Sequence, residues 1–348
     1  MGFSIALNFE DGVTRFVECN SGETVADAAY RNGINIPLDC RDGACGTCKC
    51  RAEAGEYDPG SYIEDALTDE EAAEGFALAC QMRPKTDVVV GIAASSEVCK
   101  TKGESFKAQL AAVERLSPTT IAFSLALDAG GGIGFLPGQY VNVRVPDTDE
   151  RRSYSFSSSP GATEFSFLVR DIPRGKMSDF LRDKAAPGMP MEFIGPAGAF
   201  YLRDIRRPLL FLAGGTGLAP FLSMLGRIAA TGSPHLIHMV YGVTNDEDLV
   251  ELDRLNEFAA AIPGFTFTTC VAAETSTHPR KGYVTHHIEP AHLNGGDIDV
   301  YLCGPPPMVE AVRKWLGEQG MEPVNFYYEK FSPSGAVTTI GETHRKAA

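Results

Sequence analysis

Four cysteines in the first quarter of the chain are spaced as the ligands of a metal centre would be. Cys40, Cys45 and Cys48 form the pattern C-x4-C-x2-C, and Cys80 follows after 31 intervening residues. Two iron ions need four thiolates, and a short loop can wrap three of them around one side of a cluster while the fold supplies the fourth. The spacing therefore predicts a 2Fe–2S cluster bound by these four cysteines.

A zinc site is the alternative interpretation of the same cysteines. Zinc ribbons use paired C-x2-C knuckles, whereas this chain has one such pair. Gly43 and Gly46 suit the cluster, because glycine lets backbone N–H groups approach the sulfur atoms and stabilise added negative charge. Cys19 and Cys50 lie outside the pattern, and we interpret both as small buried thiols.

Two further segments carry groups that suit a phosphate-bearing cofactor. The segment Arg151-Arg-Ser-Tyr-Ser155 lies on a predicted strand and offers cations and hydroxyl groups. Lys176 and Ser178 stand at the start of a predicted helix, where backbone N–H groups favour a pyrophosphate. Each segment alone is also typical of an ordinary surface strand or helix end, and the two together indicate a nucleotide site.

A glycine-rich turn indicates a second nucleotide site. Gly214-Gly-Thr-Gly217 follows a buried strand and opens a helix, whose electropositive N-terminus a phosphate could approach closely. The turn is neither G-x-G-x-x-G nor the Walker sequence, so a tight strand-to-helix turn is the alternative. Cys303 and Gly304 end a later strand of the same sheet, where Cys303 is open to interpretation as a structural thiol or a cofactor contact.

Three stretches of different pattern must position these groups. The first, residues 1–93, has short alternating segments and acidic helical pieces. Its predicted elements are a hairpin across the turn at residues 10–12, helices at 24–31 and 68–74, and a strand at 88–92. Residues 94–105 are small and polar, as in a linker. We therefore place the first domain at residues 1–95 and a linker at 96–105.

The second and third stretches differ in the order of their predicted strands and helices. Short strands between Gly/Pro turns predict an antiparallel barrel over residues 106–203, with strands at 107–114, 119–127, 139–145, 153–157 and 164–170 and a helix at 176–184. Alternating strands and helices predict a parallel sheet over residues 204–335, with strands at 208–213, 236–241, 266–271 and 300–303 and helices at 218–230, 249–261 and 308–319. The small, polar tail at 336–348 is expected to be loose.

Composition and charge limit the classes of partner. The net charge is −14, and residues 1–99 contribute −11 of it, which argues against nucleic acid because phosphates would be repelled. The acidic first domain could dock on a basic protein, although acidic surfaces also serve solubility alone. No apolar run approaches the ~20 residues that cross a bilayer. The N-terminus lacks a secretory signal pattern, so we expect a cytoplasmic protein without a membrane partner.

The motifs together resemble those of the reductase component of bacterial benzoate/toluate/anthranilate-type ring-hydroxylating dioxygenases. The matching segments are residues 5–16, 40–50, 152–158, 208–225, 301–309 and 328–331. The resemblance covers about residues 1–332. It implies a multidomain fold: an α+β β-grasp ferredoxin, an antiparallel β-barrel that binds FAD and an α/β parallel-sheet domain that binds NADH.

The resemblance also implies roles for individual residues. Arg152 would pair with the FAD phosphate, Tyr154 would pack on the isoalloxazine, and Ser155 would hydrogen-bond near flavin N5. Thr216 would lie beside the nicotinamide, and Cys303 would flank its reacting carbon. The implied catalytic residues are Ser155, Cys303 and Glu329. The implied cofactor-binding residues are Arg152, Ser153, Tyr154, Ser155, Gly175, Lys176, Met177, Ser178, Gly214, Gly215, Thr216, Gly217, Cys303, Gly304 and Phe331. Arg174 replaces a glycine that is frequent in relatives.

The implied activity is NADH-dependent electron transfer. NADH gives two electrons as one hydride, an iron–sulfur centre accepts one at a time, and FAD bridges the two. The electrons would pass to the oxygenase component of an aromatic-ring dioxygenase, and we expect a monomer. Preference for NADH over NADPH is a hypothesis from the carboxylates of residues 246–248. The alternatives are the reductase of a soluble methane, phenol or alkene monooxygenase and a redox sensor without turnover.

Overall fold

The computed structural model of the chain describes residues 2–38, 41–100 and 104–331. Three sheets of five, six and five strands follow one another along the chain, and a two-stranded pair accompanies the first. The first sheet is mixed, the second antiparallel and the third parallel, which confirms the predicted fold class. Within this part of the chain, no helix has the length and apolar character needed to span a membrane.

The first sheet and its helices form what we call the ferredoxin-like domain. Its strands are β1 (Phe3–Phe9), β2 (Thr14–Cys19), β3 (Lys49–Ala54), β4 (Tyr57–Asp58), β5 (Phe76–Leu78), β6 (Arg83–Pro84) and β7 (Val88–Ile92), and its helices are α1 (Val25–Arg31), α2 (Asp69–Ala73) and α3 (Ser96–Lys100). The five-stranded sheet has the order β2-β1-β7-β3-β5, while β4 pairs with β6. Because β1 pairs antiparallel with β2 and parallel with β7, the sheet has the mixed pairing of a β-grasp.

The predicted hairpin and first helix are confirmed, and their causes are local. Alternate residues of β1 point into the core, so that Ile5 and Leu7 are fully buried. Gly12 supplies the left-handed turn conformation, with φ at +79°. The Thr24 side chain accepts a hydrogen bond from the Asp27 backbone N–H at 3.2 Å and so caps α1.

The stretch predicted as a linker contains helix α3, which packs on the ferredoxin-like domain. Cys99 is fully buried, and its carbonyl accepts a hydrogen bond from the Asn35 N–H at 2.6 Å. The Ser96 hydroxyl donates to the Asp11 carboxylate at 2.9 Å. Small polar residues here therefore anchor a short helix. Residues 101–103 lie outside the described residues, and the boundaries at 95 and 105 stay predictions.

The second sheet closes into a six-stranded barrel. Its strands are β8 (Glu104–Ser117), β9 (Thr120–Leu127), β10 (Tyr140–Arg144), β11 (Arg151–Ser155), β12 (Glu164–Arg170) and β13 (Pro190–Ala197), and α4 (Lys176–Asp183) lies between the last two. The order is β11-β10-β13-β8-β9-β12, and a bridge between Phe156 and Phe167 joins the two ends. Fully buried phenylalanines fill the interior, among them Phe123, Phe165 and Phe193.

Strand β13 was not predicted, because its sequence carries Pro190, Gly195 and Pro196, which usually mark a turn or an edge. The barrel nevertheless places β13 between β8 and β10. Gly195 is needed there, because a Cβ atom at this position would lie 2.7 Å from Cγ1 of Val141 on the neighbouring strand. The close approach of β13 and β10 thus explains why position 195 is a glycine although it lies within a strand.

The third sheet is parallel and has helices on both faces. Its strands are β14 (Leu209–Gly214), β15 (Ile237–Val243), β16 (Phe265–Val271), β17 (Asp299–Gly304) and β18 (Asn325–Lys330), and its helices are α5 (Ala219–Thr231), α6 (Leu252–Ala261) and α7 (Pro306–Glu318). The order is β16-β15-β14-β17-β18. Strand β14 is almost wholly apolar because both of its faces are covered, with α5 and α6 packed on one side and α7 on the other.

The edge strand β18 was also absent from the predicted elements. Its residues Asn325–Lys330 are all half-buried and show no alternation of apolar and polar side chains. The strand forms because it pairs in parallel with β17, a contact between segments that are remote in sequence. The tail at 336–348, expected to be loose, lies outside the described residues.

Candidate active site

A single cleft of about 990 Å³ lies where the ferredoxin-like domain, the barrel and the parallel sheet meet. Thr47 of the cysteine loop lines it on one side, Tyr140 and Ser155 of the barrel on another, and Thr216 and Glu329 of the parallel sheet on a third. The cleft therefore contacts the cysteine loop, strand β11, the start of α4 and the glycine turn, whereas Cys303 and Gly304 are not among its lining residues. Thr47 and Tyr140 were not among the predicted site residues, since no motif marks them.

At the cysteine end, Cys48 and Cys80 lie together. A hydrogen bond between their side chains, with burial, raises the pKa of the Cys48 thiol, and Cys45 is close enough to add to this shift. Such crowded thiols become stable thiolates only beside a cation, so the donor set suits iron. Cys40 lies outside the described residues, among which no three His, Cys, Asp or Glu side chains converge as a metal site. The four-cysteine ligand set therefore stays a prediction.

The loop around these cysteines has backbone conformations that favour glycine. Gly43 and Gly46 have φ values of +84° and +74°, and a Cβ atom at Gly43 would lie 2.4 Å from the Ser61 carbonyl oxygen. Gln81, which the sequence did not single out, donates from Nε2 to the Cys80 sulfur at 3.7 Å. Such a donor stabilises negative charge on the sulfur.

Cys19 and Cys50 are both buried, as expected of small structural thiols. Burial raises the pKa of the Cys19 thiol to about 11. The Cys50 thiol donates to the Ala77 carbonyl at 3.4 Å, and burial raises its pKa to about 12. Both side chains are therefore neutral packing groups.

Strand β11 lines the cleft with the predicted residues 152–155. The Ser155 hydroxyl is buried and donates to Oε2 of Glu329 at 3.2 Å, so two expected catalytic residues meet across the interface of barrel and parallel sheet. The Ser153 hydroxyl donates to Oδ1 of Asn142 at 2.8 Å. The Tyr154 ring packs edge-on against Phe123 with 5.6 Å between centroids, and burial raises the pKa of its hydroxyl group.

Two cations of the cleft converge on one carboxylate. Arg152 lies 2.6 Å from Oε2 of Glu150, and the Lys176 ammonium contacts Oε1 of the same side chain. The cations lower the pKa of Glu150, with the contribution of Lys176 the larger. Glu150 was not predicted from the sequence, although it stands two residues before Arg152. The arrangement holds two positive charges side by side at the cleft.

The start of α4 departs in one detail from the prediction. Gly175, Lys176, Met177 and Ser178 all line the cleft. The Ser178 hydroxyl, however, accepts from the Ile172 N–H at 3.0 Å and donates to the Arg170 carbonyl at 3.3 Å, so it braces the preceding turn. Arg174 in that turn has φ at +62°, a conformation that favours glycine.

The glycine turn after β14 and the end of β17 meet because the strand order reverses between these two strands. Ligands bind at such a switch point of a parallel sheet. Gly214, Gly215 and Thr216 line the cleft, whereas Gly217 is buried behind it. A Cβ atom at Gly217 would lie 2.3 Å from the Cys303 carbonyl oxygen, so the turn packs directly on β17.

Cys303, Gly304 and Glu329 come together through the pairing of β17 with β18, in which Cys303 is opposite Glu329. Cys303 is fully buried, and burial together with the Glu329 charge raises the pKa of its thiol well above the usual range. The thiol is therefore neutral and is a packing or donor group, not a thiolate nucleophile. The Phe331 N–H donates to the Gly304 carbonyl at 2.9 Å, which places Phe331 at the cleft.

Two of the three carboxylates after β15 have structural partners. Asp248 is buried at the cleft wall and accepts hydrogen bonds from Thr119 and, at 3.0 Å, from the Asn245 side chain. Asp246 accepts from the Ser276 hydroxyl at 2.5 Å. The fold thereby brings the loop at 272–282 beside Asp246, and this loop carries Lys281, whose ammonium donates to the Glu274 carbonyl at 3.2 Å.

Known proteins match this chain over almost all of its length. Residues 8–85 match the 2Fe-2S iron-sulfur cluster binding domain, 107–201 the oxidoreductase FAD-binding domain and 211–314 the oxidoreductase NAD-binding domain. The toluate 1,2-dioxygenase electron transfer component of Pseudomonas putida is 57% identical over 96% of this chain and 100% of its own length. The 2-halobenzoate 1,2-dioxygenase electron transfer component of Burkholderia cepacia is 54% identical over 95% and 98%.

The chain belongs to the family of dioxygenase electron transfer components. As a member of this family it is an NADH-dependent oxidoreductase that uses FAD and a 2Fe–2S cluster. Among solved structures, the Amycolatopsis cytochrome P450 reductase is similar over 95% of this chain and 99% of its own, with 33% identity and a TM-score of 0.72. The ferredoxin reductase in carbazole 1,9a-dioxygenase shares the fold, with 22% identity and a TM-score of 0.65.

The close packing of the glycine turn in this electron transfer component gives a first prediction. Gly217→Ala should force the turn away from Cys303, since its Cβ atom would lie 2.3 Å from a backbone oxygen. We expect KM for NADH to rise about tenfold or more with FAD content unchanged, measured by steady-state ferricyanide reduction.

Gly317→Ala is the matched control for this substitution. Gly317 lies in α7 with no heavy atom within 4 Å of its added Cβ, so the same change in residue type should leave KM as in the wild type. An unchanged KM in Gly217→Ala would contradict the tight packing described here.

Proposed function

We propose that this chain delivers electrons from NADH to the oxygenase component of a ring-hydroxylating dioxygenase that acts on an aromatic carboxylic acid of the benzoate/toluate/anthranilate type. The main support is the 57% identity with a toluate 1,2-dioxygenase electron transfer component over the full length of that protein. Relatives named for 2-halobenzoate and anthranilate dioxygenases also match almost end to end. All three names specify an aromatic ring with a carboxyl group.

The reductase of a soluble monooxygenase is the second candidate. Reductase components of propane 2-monooxygenase match over 91–95% of the chain, but with 29–32% identity. Because such proteins share all three domains, the difference lies in how closely each relative matches, and the dioxygenase type is favoured. A sensor without turnover is disfavoured by the cleft, which residues of all three domains line, among them the predicted residues of the barrel and the glycine turn.

The FAD site follows from the barrel residues of the cleft. We infer that Arg152 and Lys176 bind the FAD phosphates and that Glu150 keeps the two cations in place before FAD binds. The N-terminus of α4, from Gly175 to Ser178, would add backbone N–H groups to the pyrophosphate. Tyr154 would pack on the isoalloxazine, since its ring lies at the cleft and is already braced by Phe123.

The hydride site would lie where Ser155, Glu329 and Cys303 converge. Bound FAD accepts a hydride from NADH and releases electrons one at a time, which is the chemistry that neither the protein nor the cluster supplies. Ser155 would orient the flavin edge through its hydroxyl, and Glu329 fixes that hydroxyl by accepting its hydrogen bond at 3.2 Å. The neutral Cys303 thiol and Gly304 would pack against the nicotinamide without adding charge, with Thr216 beside them.

At the other end of the cleft, we infer that Cys40, Cys45, Cys48 and Cys80 hold the cluster. Thr47, between two of these cysteines, lines the same cleft as Ser155, so the cluster loop and the proposed flavin site border one cleft. The domain boundaries predicted above, a monomeric state and a cytoplasmic location belong to this proposal as well. The acidic ferredoxin-like domain would offer its charge to a basic surface of the oxygenase.

Preference for NADH over NADPH is part of the proposal. Asp248 lies at the cleft wall and Asp246 beside it, so the 2′-phosphate of NADPH would approach two fixed carboxylates. We expect kcat/KM for NADPH to be about tenfold or more below that for NADH at equal ionic strength. Comparable values of kcat/KM for the two nucleotides would contradict this preference.

Reconstitution tests the assigned partner. The purified chain is mixed with oxygenase components of benzoate, toluate and anthranilate dioxygenases, and NADH consumption is compared with product formed from the ring. We expect at least one of these oxygenases to couple the two tightly, while the hydroxylase of a propane monooxygenase stays uncoupled. Coupled turnover only with the monooxygenase would reverse the assignment, and NADH-dependent ferricyanide reduction serves as the control for an active reductase.

A further inference from the structure

Lys330 has an unusual environment for a lysine at the end of an edge strand. Its side chain is only 3% exposed, and its ammonium group lies 2.9 Å from Oε1 of Glu310 on α7. The same ammonium donates a hydrogen bond to the backbone carbonyl of Asp65, which belongs to the ferredoxin-like domain. A buried ammonium is costly unless it is paired, so these contacts fix the position of Lys330. The parallel sheet thus reaches the ferredoxin-like domain through this side chain.

The neighbours of Lys330 lie at the reactive end of the cleft. Successive side chains of a strand point to opposite faces, so Glu329 and Phe331 share one side while Lys330 points to the other. Glu329 accepts the Ser155 hydrogen bond, and Phe331 is tied to Gly304. A shift of Lys330 along or across the strand would therefore move Glu329.

A second contact joins the same two domains without involving residues 329–331. Glu71, the residue that completes the capping box of α2, lies 2.6 Å from Lys49 within its own domain and 2.6 Å from Arg313 of α7. Arg313 is on a helix, outside the strand that carries Glu329. Lys330 and Arg313 thus carry two of the charged contacts at this interface, beside Lys49, which lies 5.7 Å from the ring centroid of Tyr328. Of Lys330 and Arg313, only Lys330 lies on the strand that carries Glu329.

We propose that Lys330 is a positioning residue for hydride transfer: docking of the ferredoxin-like domain at Asp65 holds β18 so that Glu329 meets Ser155. The inference rests on the role proposed for Glu329 above. Through Lys330, the contact that holds the ferredoxin-like domain in place would also set the position of Glu329 relative to Ser155, on which hydride transfer depends. Flavin reduction by NADH is then fast only while the ferredoxin-like domain, which carries the cluster, is docked on the parallel sheet through Asp65.

Lys330→Met tests this inference, because methionine keeps the length of the side chain and removes the ammonium group. The rate of flavin reduction after mixing with NADH under anaerobic conditions should fall about tenfold, as expected for a small displacement of a reacting group. In a Glu329→Gln background the same substitution should change the rate by less than about twofold, since the residue through which it acts is already altered. FAD content and circular dichroism establish that each variant is folded.

Arg313→Met is the matched control, since it removes one charge from the same interface. Its flavin reduction rate should equal that of the wild type. Equal slowing in Arg313→Met and Lys330→Met would overturn the inference. Any loosening of the interface would then be enough to slow flavin reduction. A wild-type rate in Lys330→Met beside a slow Glu329→Gln would refute the inference alone, whereas a wild-type rate in Glu329→Gln would also refute the proposed role of Glu329.

Discussion

A hydride donor and a one-electron acceptor must both reach one flavin, and the arrangement of the three sheets follows from this requirement. NADH has to approach from the switch point of the parallel sheet, where β14 and β17 end. The cluster has to approach from the cysteine loop, and the barrel must hold the flavin between them. The common cleft, lined by Thr47, Ser155 and Thr216, meets this requirement with residues from all three domains.

The two ends of the cleft also differ in the charge of their side chains. At the phosphate end, Arg152 and Lys176 share the carboxylate of Glu150, so positive charge is fixed in advance of the ligand. At the hydride end, Cys303 is neutral because burial and Glu329 oppose its ionisation. Two positive charges therefore lie at the end proposed for the phosphates, and at the end proposed for the nicotinamide the Glu329 carboxylate stands beside a neutral thiol.

Sequence patterns predicted the parts of the molecule that depend on short-range order. The hairpin of β1 and β2, helix α1 and the glycines at 43 and 46 follow from alternation, capping and turn chemistry. Strands β13 and β18 escaped prediction because one carries proline and glycine and the other lacks alternation, and each is stabilised by partners remote in sequence. Thr47, Gln81 and Glu150 escaped for the same reason, since only the fold gives them neighbours in the site. Ser155 and Glu329 are 174 residues apart in the sequence, so the spacing of residues within a motif could not predict their hydrogen bond.

The central claim is that electrons pass from flavin to cluster within one chain, across the cleft shared by the three domains. The most direct measurement follows flavin and cluster absorbance after anaerobic mixing with one equivalent of NADH, over a roughly tenfold range of protein concentration. Transfer within one chain predicts a rate constant for cluster reduction that does not depend on protein concentration. A rate constant that rises in proportion to protein concentration would show transfer between molecules and would contradict it.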